Sequence, residues 1–398
     1  MRLAIAFTNF GPYHLARLRA LGARLRAGGG ELIAHEMASV ERKYPWSVDR
    51  GDEPFTWRTL FPDQAIEDVA PSLCTAAMLR MLDEDRPDIV AVVGYVRPES
   101  MAALSWAEKH GRPAILLSES QRIDSPRVWW KEVVKRRRVR RFSSALVGGS
   151  RHRAYLESLG MPKSRTALGY NAIDHEGYAR RARELRETSG HQAIKLPRPY
   201  FLAVSRFAPE KNLIRLLHAF ALYRADANPA NVWDLVLCGG GEMEDQVDSL
   251  ATHLGVKTAV HRPGFLGESE LAPYYAFASG FILPSQVEPW GLVANEAAAS
   301  GLPLLISDCC GCVETLIPDN EEPTGRDFDP NDIEEIAGSM AWLAGLDADE
   351  RKQMGRQAEI VASRWGADRF ANGMIEAVEL AESGPVRTSR QDFAEAAR

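Results

Sequence analysis

Cysteine is scarce in this chain, with five residues among 398, three of them crowded together as Cys309, Cys310 and Cys312. A tetrahedral structural metal site wants four ligands in two spaced pairs, and no partner cluster stands elsewhere. The three cysteines therefore read as small residues lining a turn. No stretch approaches the roughly 18 apolar residues that cross a bilayer. Residues 1–8 reach polar Thr8 too soon for a secretory leader. A surplus of base is missing as well: 48 Lys and Arg face 54 Asp and Glu, a net charge of −6. A dedicated nucleic-acid binder leans the other way, so nucleic acid is not expected as a partner. There is no G-x-x-x-x-G-K-[ST] loop. Gly239-Gly240-Gly241 opens like a dinucleotide fingerprint, but Glu244 stands at its final glycine position. A reduced, cytoplasmic setting is expected.

Apolar residues make up 45% of the chain, enough at this length to fill two cores. Short aliphatic runs at 3–7, 89–93, 114–117 and 145–147 read as buried parallel strands, separated by amphipathic helical segments. The pattern restarts with strands at 200–204, 234–238, 280–283 and 304–306 and helices over 212–224, 243–254 and 291–300. Repeated strand–helix alternation means parallel sheets covered on both faces. The expected division is a first domain at 1–190, a second at 191–365, a helix over 366–382 that returns to the first, and a polar tail over 383–398. Pro197 and Pro199 stiffen the entry to the second half.

Two segments of that second half carry chemistry. From Phe281 to Gly301 the chain reads strand, loop and helix, with Pro289 and Gly291 marking the turn. The backbone N–H groups of Gly291, Leu292 and Val293 then open a helix at the carboxyl edge of the sheet, a natural seat for phosphate. Glu288 stands just before that helix and Glu296 inside its first two turns. A ligand contact for each, at the sugar and nucleoside ends, competes with a helix-start acid and a solvated surface acid. In the second segment, Ser205-Arg206-Phe207 and Lys211 follow a strand directly, and Arg206 and Lys211 are spaced to reach one diphosphate. The competing reading is a solvated basic loop neutralised by Glu210.

Together these segments resemble the glycosyltransferases of family 4, which have the two-domain GT-B fold. Glu288 and Glu296, with seven residues between them, match the family's carboxylate pair. Ser205-Arg206-Phe207 with Lys211 matches its Gly-Arg-Leu-x-x-x-Lys turn, Ser replacing Gly. Cys238-Gly239-Gly240-Gly241 resembles its glycine-bearing strand end, Arg262-Pro263-Gly264-Phe265 its base-binding loop, and Gly311-Cys312-Val313-Glu314 its Gly-Gly-x-x-Glu. The resemblance implies two doubly wound Rossmann-like domains facing a cleft, with the last helix packing back across their junction. It implies sugar transfer from a nucleoside-diphosphate sugar to an acceptor hydroxyl with retention, in glycan or polysaccharide synthesis. Arg206, Lys211 and the amides of 291–293 would take the charge of the leaving diphosphate, with no cofactor and no divalent metal. Glu288 would hold sugar hydroxyls and Glu296 the ribose. Ser205, Gly239, Gly240 and Phe265 complete the donor set. An epimerase of the same fold, or a non-catalytic nucleotide-sugar-binding subunit, is the alternative.

The first half matches less closely. Asn9-Phe10-Gly11 stands where the family has a glycine-rich loop, so Gly11 is the donor-side candidate there. The family's histidine near a late strand end is replaced by Ser118-Glu119-Ser120, which makes Glu119 the substitute candidate against a helix-capping role for this stretch. His14 reads as an ordinary packed histidine. Asp83-Glu84-Asp85 spells the metal–nucleotide motif of the other large glycosyltransferase fold, yet it ends a helix where metal ligands should follow a strand. Acceptor contacts are expected from 39–58 and 118–130. Residues 129–141 form one helix in which Trp129 and Trp130 accompany seven bases and one Glu. Such a helix suits an anionic lipid surface at the inner face of a membrane, or is simply a solvated face.

Overall fold

The computed structural model describes residues 1–42, 48, 50–188, 199–227 and 232–383. The chain forms two compact units, one of Met1–Arg122, Pro126–Ile173 and the segment from Ala367, the other of Ile123–Ser125 and Asp174–Gly366. Among the described residues each unit is built on one parallel sheet. The first contains β1 (Arg2–Phe7), β2 (Glu31–Val40), β3 (Thr56–Ala65), β4 (Ile89–Val93), β5 (Ala114–Ser118), β6 (Ser144–Val147) and β7 (Thr166–Leu168), in the order 3-2-1-4-5-6-7. The second contains β8 (Tyr200–Val204), β9 (Asp234–Cys238), β10 (Val260–Gly264), β11 (Gly280–Leu283), β12 (Leu304–Ser307) and β13 (Gly325–Phe328), in the order 10-9-8-11-12-13.

Both orders reverse direction next to the first strand of the unit, between β1 and β4 and between β8 and β11. Loops leaving the carboxyl ends of such a pair part company to opposite faces, and the crevice they leave is where open α/β sheets bind ligands. The apolar runs that marked the strands are buried on both faces, as in Ile89–Val92 and Phe281–Leu283. Flanking helices supply the covering stripes: Leu15, Leu18, Leu21 and Leu25 of the helix Pro12–Ala27 all face inward. Each sheet thus has two core layers, one per face.

The division falls at 173/174 rather than at 190. The helix His175–Thr188 belongs to the second unit, because Arg186 donates to the carbonyls of Ala276 (2.7 Å) and Ser300 (2.6 Å). Those contacts are invisible in a segment whose sequence is charged throughout. The last helix, Ala367–Glu382, is part of the first unit. It buries Phe370, Met374 and Val378 beside the helix Pro12–Ala27, and Ser144 donates its hydroxyl to the Ala377 carbonyl at 2.6 Å. Of the expected linker, 189–198 with Pro197 lies outside the described residues. So do 384–398 of the expected tail, and 43–47 and 49 of the expected acceptor region. Among the described residues no helix is long and apolar enough to cross a membrane.

Candidate functional site

The reversal between β8 and β11 gathers the second unit's candidates. β8 runs into Ser205 and Arg206, then a short 3-10 turn over Pro209–Lys211. β11 runs into Pro284–Trp290 and then the helix Leu292–Ala299. The two loops are stitched together by backbone: the Glu210 carbonyl accepts from the Gln286 amide at 2.9 Å. The Glu288 carbonyl in turn accepts from the Gly311 amide at 3.0 Å, which brings in the loop after β12. At the centre the Lys211 ammonium is paired with the Glu288 carboxylate, the two side chains only 15% and 12% exposed. Ser285 donates its hydroxyl to the same carboxylate oxygen at 3.3 Å. Arg206 pairs with Glu210 at 2.8 Å, nearer the surface. Burial opposes ionisation of Glu210, yet its own amide, Arg206 and Lys211 together hold it below the ordinary carboxylate value. In this arrangement both cations face carboxylates, so an incoming diphosphate would compete with Glu210 and Glu288 for them.

The helix start beside them is built on a left-handed glycine. Gly291 caps it with φ +103°, and a Cβ there would press on Leu283, Glu288 and Cys312. That left-handed residue turns the chain so that the amides of Leu292 and Val293 lead the helix. Trp290, 1% exposed, anchors the turn from below by donating its indole N–H to the side-chain Oδ1 of Asn295 at 2.8 Å. The Cys310 and Cys312 side chains pack beneath it, and burial pushes the Cys310 thiol well above its ordinary value. Among the described residues no group of three or more His, Cys, Asp or Glu is placed to hold a metal ion.

Gly239 lies against the β8 loop. Its φ is +132°, and a Cβ would stand 1.9 Å from the Ser205 carbonyl oxygen. Ser205 is fixed by donation from its amide to the Cys238 carbonyl (3.1 Å), and Phe207 likewise to Gly240 (2.8 Å). The Gly239 amide reaches the Gly264 carbonyl at 2.8 Å, and next to Gly264 the Phe265 ring stands 63% exposed. An exposed ring beside a glycine-lined floor is a suitable stacking surface for a planar base.

Glu296 is not solvated surface. It is 2% exposed, and its two carboxylate oxygens accept the hydroxyls of Tyr178 at 2.9 Å and Tyr275 at 2.6 Å. The two tyrosines escaped the sequence reading because only the tertiary packing of three separate helices brings them to Glu296. Asn212 escaped it too. It adopts φ +61°, is buried, and its side-chain amide donates to the carbonyls of Pro284 (3.0 Å) and Pro330 (2.7 Å). It therefore locks the turn carrying Lys211 onto the β11 loop. An Asn following the helix-start Lys was the available signal, since Asn tolerates this backbone region better than other side chains. Asn212→Ala loses both the bonds and that tolerance, and is expected to cost roughly 2–4 kcal/mol. Asn212→Gly keeps the backbone and should cost about half as much; urea denaturation of the two variants measures the difference.

In the first unit, Gly11 opens the helix Pro12–Ala27, and its amide donates to His14 Nδ1 at 3.1 Å. Burial, helped by Arg17, pushes the His14 pKa down to about 3, so the ring is neutral and accepts that bond. His14 is thus a packed cap, 4.7 Å from the Phe7 ring. Glu36, unnoticed in the sequence, holds this loop: its buried carboxylate accepts from the Phe10 amide (3.0 Å), the Trp57 indole (3.1 Å) and Thr59 (2.7 Å). Glu119 is exposed just past β5, and Asn171 donates to it at 2.9 Å. The Asp83-Glu84-Asp85 stretch is structural. Asp83 accepts from the Trp106 indole at 2.6 Å, Asp85 pairs with His35 at 2.7 Å, and Arg58 binds both Glu84 and Asp85.

Residues 186–361, which carry the stitched loops, match the sequence profile of the family described as glycosyl transferases group 1. This stretch is a group 1 glycosyltransferase domain. Two curated relatives match part of the chain. One is a GDP-mannose-dependent alpha-(1-6)-phosphatidylinositol monomannoside mannosyltransferase of Mycobacterium tuberculosis, 30% identical over 44% of this chain and 46% of that protein. Another is the MMP alpha-(1->4)-mannosyltransferase of Mycolicibacterium hassiacum, 30% identical over 39% of this chain and 37% of that protein. The chain thus spans less than half the length of each of these relatives. Solved structures match over nearly the whole length. Sucrose-phosphate synthase from Thermosynechococcus elongatus superposes with a TM-score of 0.72 at 18% identity, covering 99% of both chains. HepE of Anabaena, solved in complex with UDP and glucose, superposes with a TM-score of 0.69 at 17% identity, covering 95% of this chain and 99% of that one. The likeness assigns the fold, GT-B, around the group 1 domain.

Proposed function

We propose that this protein is a retaining glycosyltransferase that moves a sugar from a nucleoside-diphosphate sugar to an acceptor hydroxyl in glycan or polysaccharide synthesis. The observation that carries the reading is the buried Lys211–Glu288 pair at the β8/β11 reversal, beside the helix start at Gly291. The diphosphate would sit on the amides of Gly291, Leu292 and Val293, with Arg206 and Lys211 drawn from their carboxylates onto its oxygens. Glu288 would then face the sugar hydroxyls, and Phe265 would stack on the base. In the transfer, the anomeric C–O bond to the diphosphate breaks and a C–O bond to the acceptor forms on the same face. The acceptor proton passes to the departing phosphate oxygen. Positive charge held in place before the reaction stabilises that leaving group without reorganisation. With two side-chain cations in this role, the step as proposed calls for no divalent metal. Glu119, exposed and held by Asn171, is the proposed catalytic group of the first unit, standing in for the family's histidine near the donor sugar.

Incubating the protein with a panel of nucleoside-diphosphate sugars and a mixed glycan acceptor pool tests this. Free nucleoside diphosphate with a new glycoside supports transfer. An isomerised sugar nucleotide would establish the epimerase, and donor binding without turnover would establish a binding subunit. Glu296 makes a separate expectation. A ribose contact, direct or held through the Tyr178 and Tyr275 hydroxyls, is the same in ground and transition states. Glu296→Ala should therefore raise donor KM by about tenfold or more while leaving kcat within a few-fold. A steady-state donor titration reads both constants.

A further inference from the structure

The helix Trp129–Val139 of the first unit is amphipathic in the wrong sense for a solvated surface helix. Its inner side is polar: Lys135 donates to Glu132 (2.7 Å) and to the Tyr155 hydroxyl (3.0 Å), which itself donates to Glu132 (2.9 Å). Only Val139 of this helix is buried. Its outer side is apolar, with Trp129 79%, Trp130 53%, Val133 42% and Val134 39% exposed. At 100° per residue, Trp130, Val133, Val134 and Arg137 share one face, flanked by Trp129, Lys131 and Arg136. Not every base of the stretch belongs to this face. Arg141 is paired with Glu108 at 2.6 Å, Arg138 donates to the Tyr95 carbonyl at 3.2 Å, and Arg136 to the Ser158 carbonyl at 3.1 Å. Lys131 instead lies over the Trp130 ring, 5.6 Å from its centre.

Two adjacent exposed indoles would normally be hidden in a core, and here the inward positions are spent on a salt-linked tyrosine. Indoles with interleaved bases on one helix face match a surface that is apolar beneath and negative above. We propose that this face docks on an anionic lipid bilayer, with Trp129 and Trp130 seated at the headgroup level and Lys131 and Arg137 meeting lipid phosphates. The occupant follows from charge complementarity: two exposed indoles beside Lys131 and Arg137 call for a surface that is negative at its rim and apolar beneath. The docking is independent of the sugar-transfer reading, since every residue it uses lies outside the second unit.

Co-sedimentation of the full chain with phosphatidylcholine vesicles, with and without about one-third phosphatidylglycerol, tests it. Binding is expected to anionic vesicles at low salt, and to weaken steeply as salt screens the surface bases. Lys131→Glu/Arg137→Glu should lower the partition constant by roughly 30-fold or more, since each surface base supplies about a fivefold factor. Trp129→Ala/Trp130→Ala should weaken binding at least tenfold and remove the blue shift of tryptophan emission that vesicles induce. Thermal melts of both variants are expected to match the parent, because no substituted side chain is buried. Absence of binding at low salt, equal binding to neutral vesicles, or binding untouched by either variant would overturn the proposal. So would sedimentation-velocity evidence of a dimer that the Trp variant dissolves while vesicle binding stays absent.

Discussion

Lys211→Ala and Arg206→Ala are each expected to lower kcat by roughly 10²–10³-fold with a smaller change in donor KM. Each cation meets a charge on the diphosphate that grows as the anomeric bond breaks, so its loss is felt more in the transition state than in the bound donor. The two variants should differ in stability. Arg206 pairs with Glu210 near the surface, and such exposed pairs contribute about 0–1 kcal/mol. Lys211 pairs with Glu288, which is 12% exposed, and removing it strands a carboxylate that has already lost most of its water. Lys211→Ala should therefore melt measurably lower, and Lys211→Ala/Glu288→Gln should recover part of that loss while staying inactive. A chelator should leave wild-type turnover unchanged. Turnover persisting in the Arg206/Lys211 double variant, or collapsing with EDTA, would overturn the assigned roles.

Gly239→Ala is expected to damage both the stability of the second unit and donor binding without touching a charged group. A methyl would be placed 1.9 Å from the Ser205 carbonyl oxygen, on a backbone with φ +132°. The strained backbone costs about 1–2 kcal/mol and the overlap about 1–3 more. The chain has a second cost, because the Ser205 amide and the Phe207 amide hold the β8 loop to this strand end at 3.1 and 2.8 Å. Moving Gly239 away drags Arg206 with it. Differential scanning calorimetry should show the second unit melting lower, and donor titration should show weakened binding even below that transition. Gly255→Ala, at φ +71° with no atom within 4 Å of the added carbon, is the control for a left-handed backbone without overlap, and should cost only about 1 kcal/mol.

How far the sequence carried this reading depended on whether a residue's role was local. The strands at 89–93, 200–204, 234–238 and 280–283 were legible because parallel strands buried on both faces need unbroken aliphatic runs. β2 was missed because buried His35 and Glu36 interrupt its apolar run, His35 held by Asp85 from a helix end and Glu36 by Thr59 from the neighbouring strand. β13, Gly-Arg-Asp-Phe, carries no apolar run and is exposed at its centre. The same division holds at the site. The spacing of Glu288 and Gly291, and of Arg206 and Lys211, is fixed by one turn each, so a motif can spell it. The hydroxyls that hold Glu296, from Tyr178 and Tyr275, arrive from helices 118 and 21 residues away and leave no trace in local sequence. The outward-facing indoles of the helix Trp129–Val139 were visible as composition, but which bases share their face required the contacts of Arg138 and Arg141.

The helix Ala367–Glu382 sets an order of events during synthesis. Its Phe370, Met374 and Val378 complete a core layer whose strands were made at least two hundred residues earlier. Until that helix has emerged from the ribosome, Leu117, Leu146 and Ala167 lack their cover, whereas Asp174–Gly366 already has every strand of its own sheet. The nascent chain therefore finishes its second unit before its first can close, the reverse of the usual N-to-C progression. A stop codon placed at 366 would leave a sound second unit tethered to an open first one.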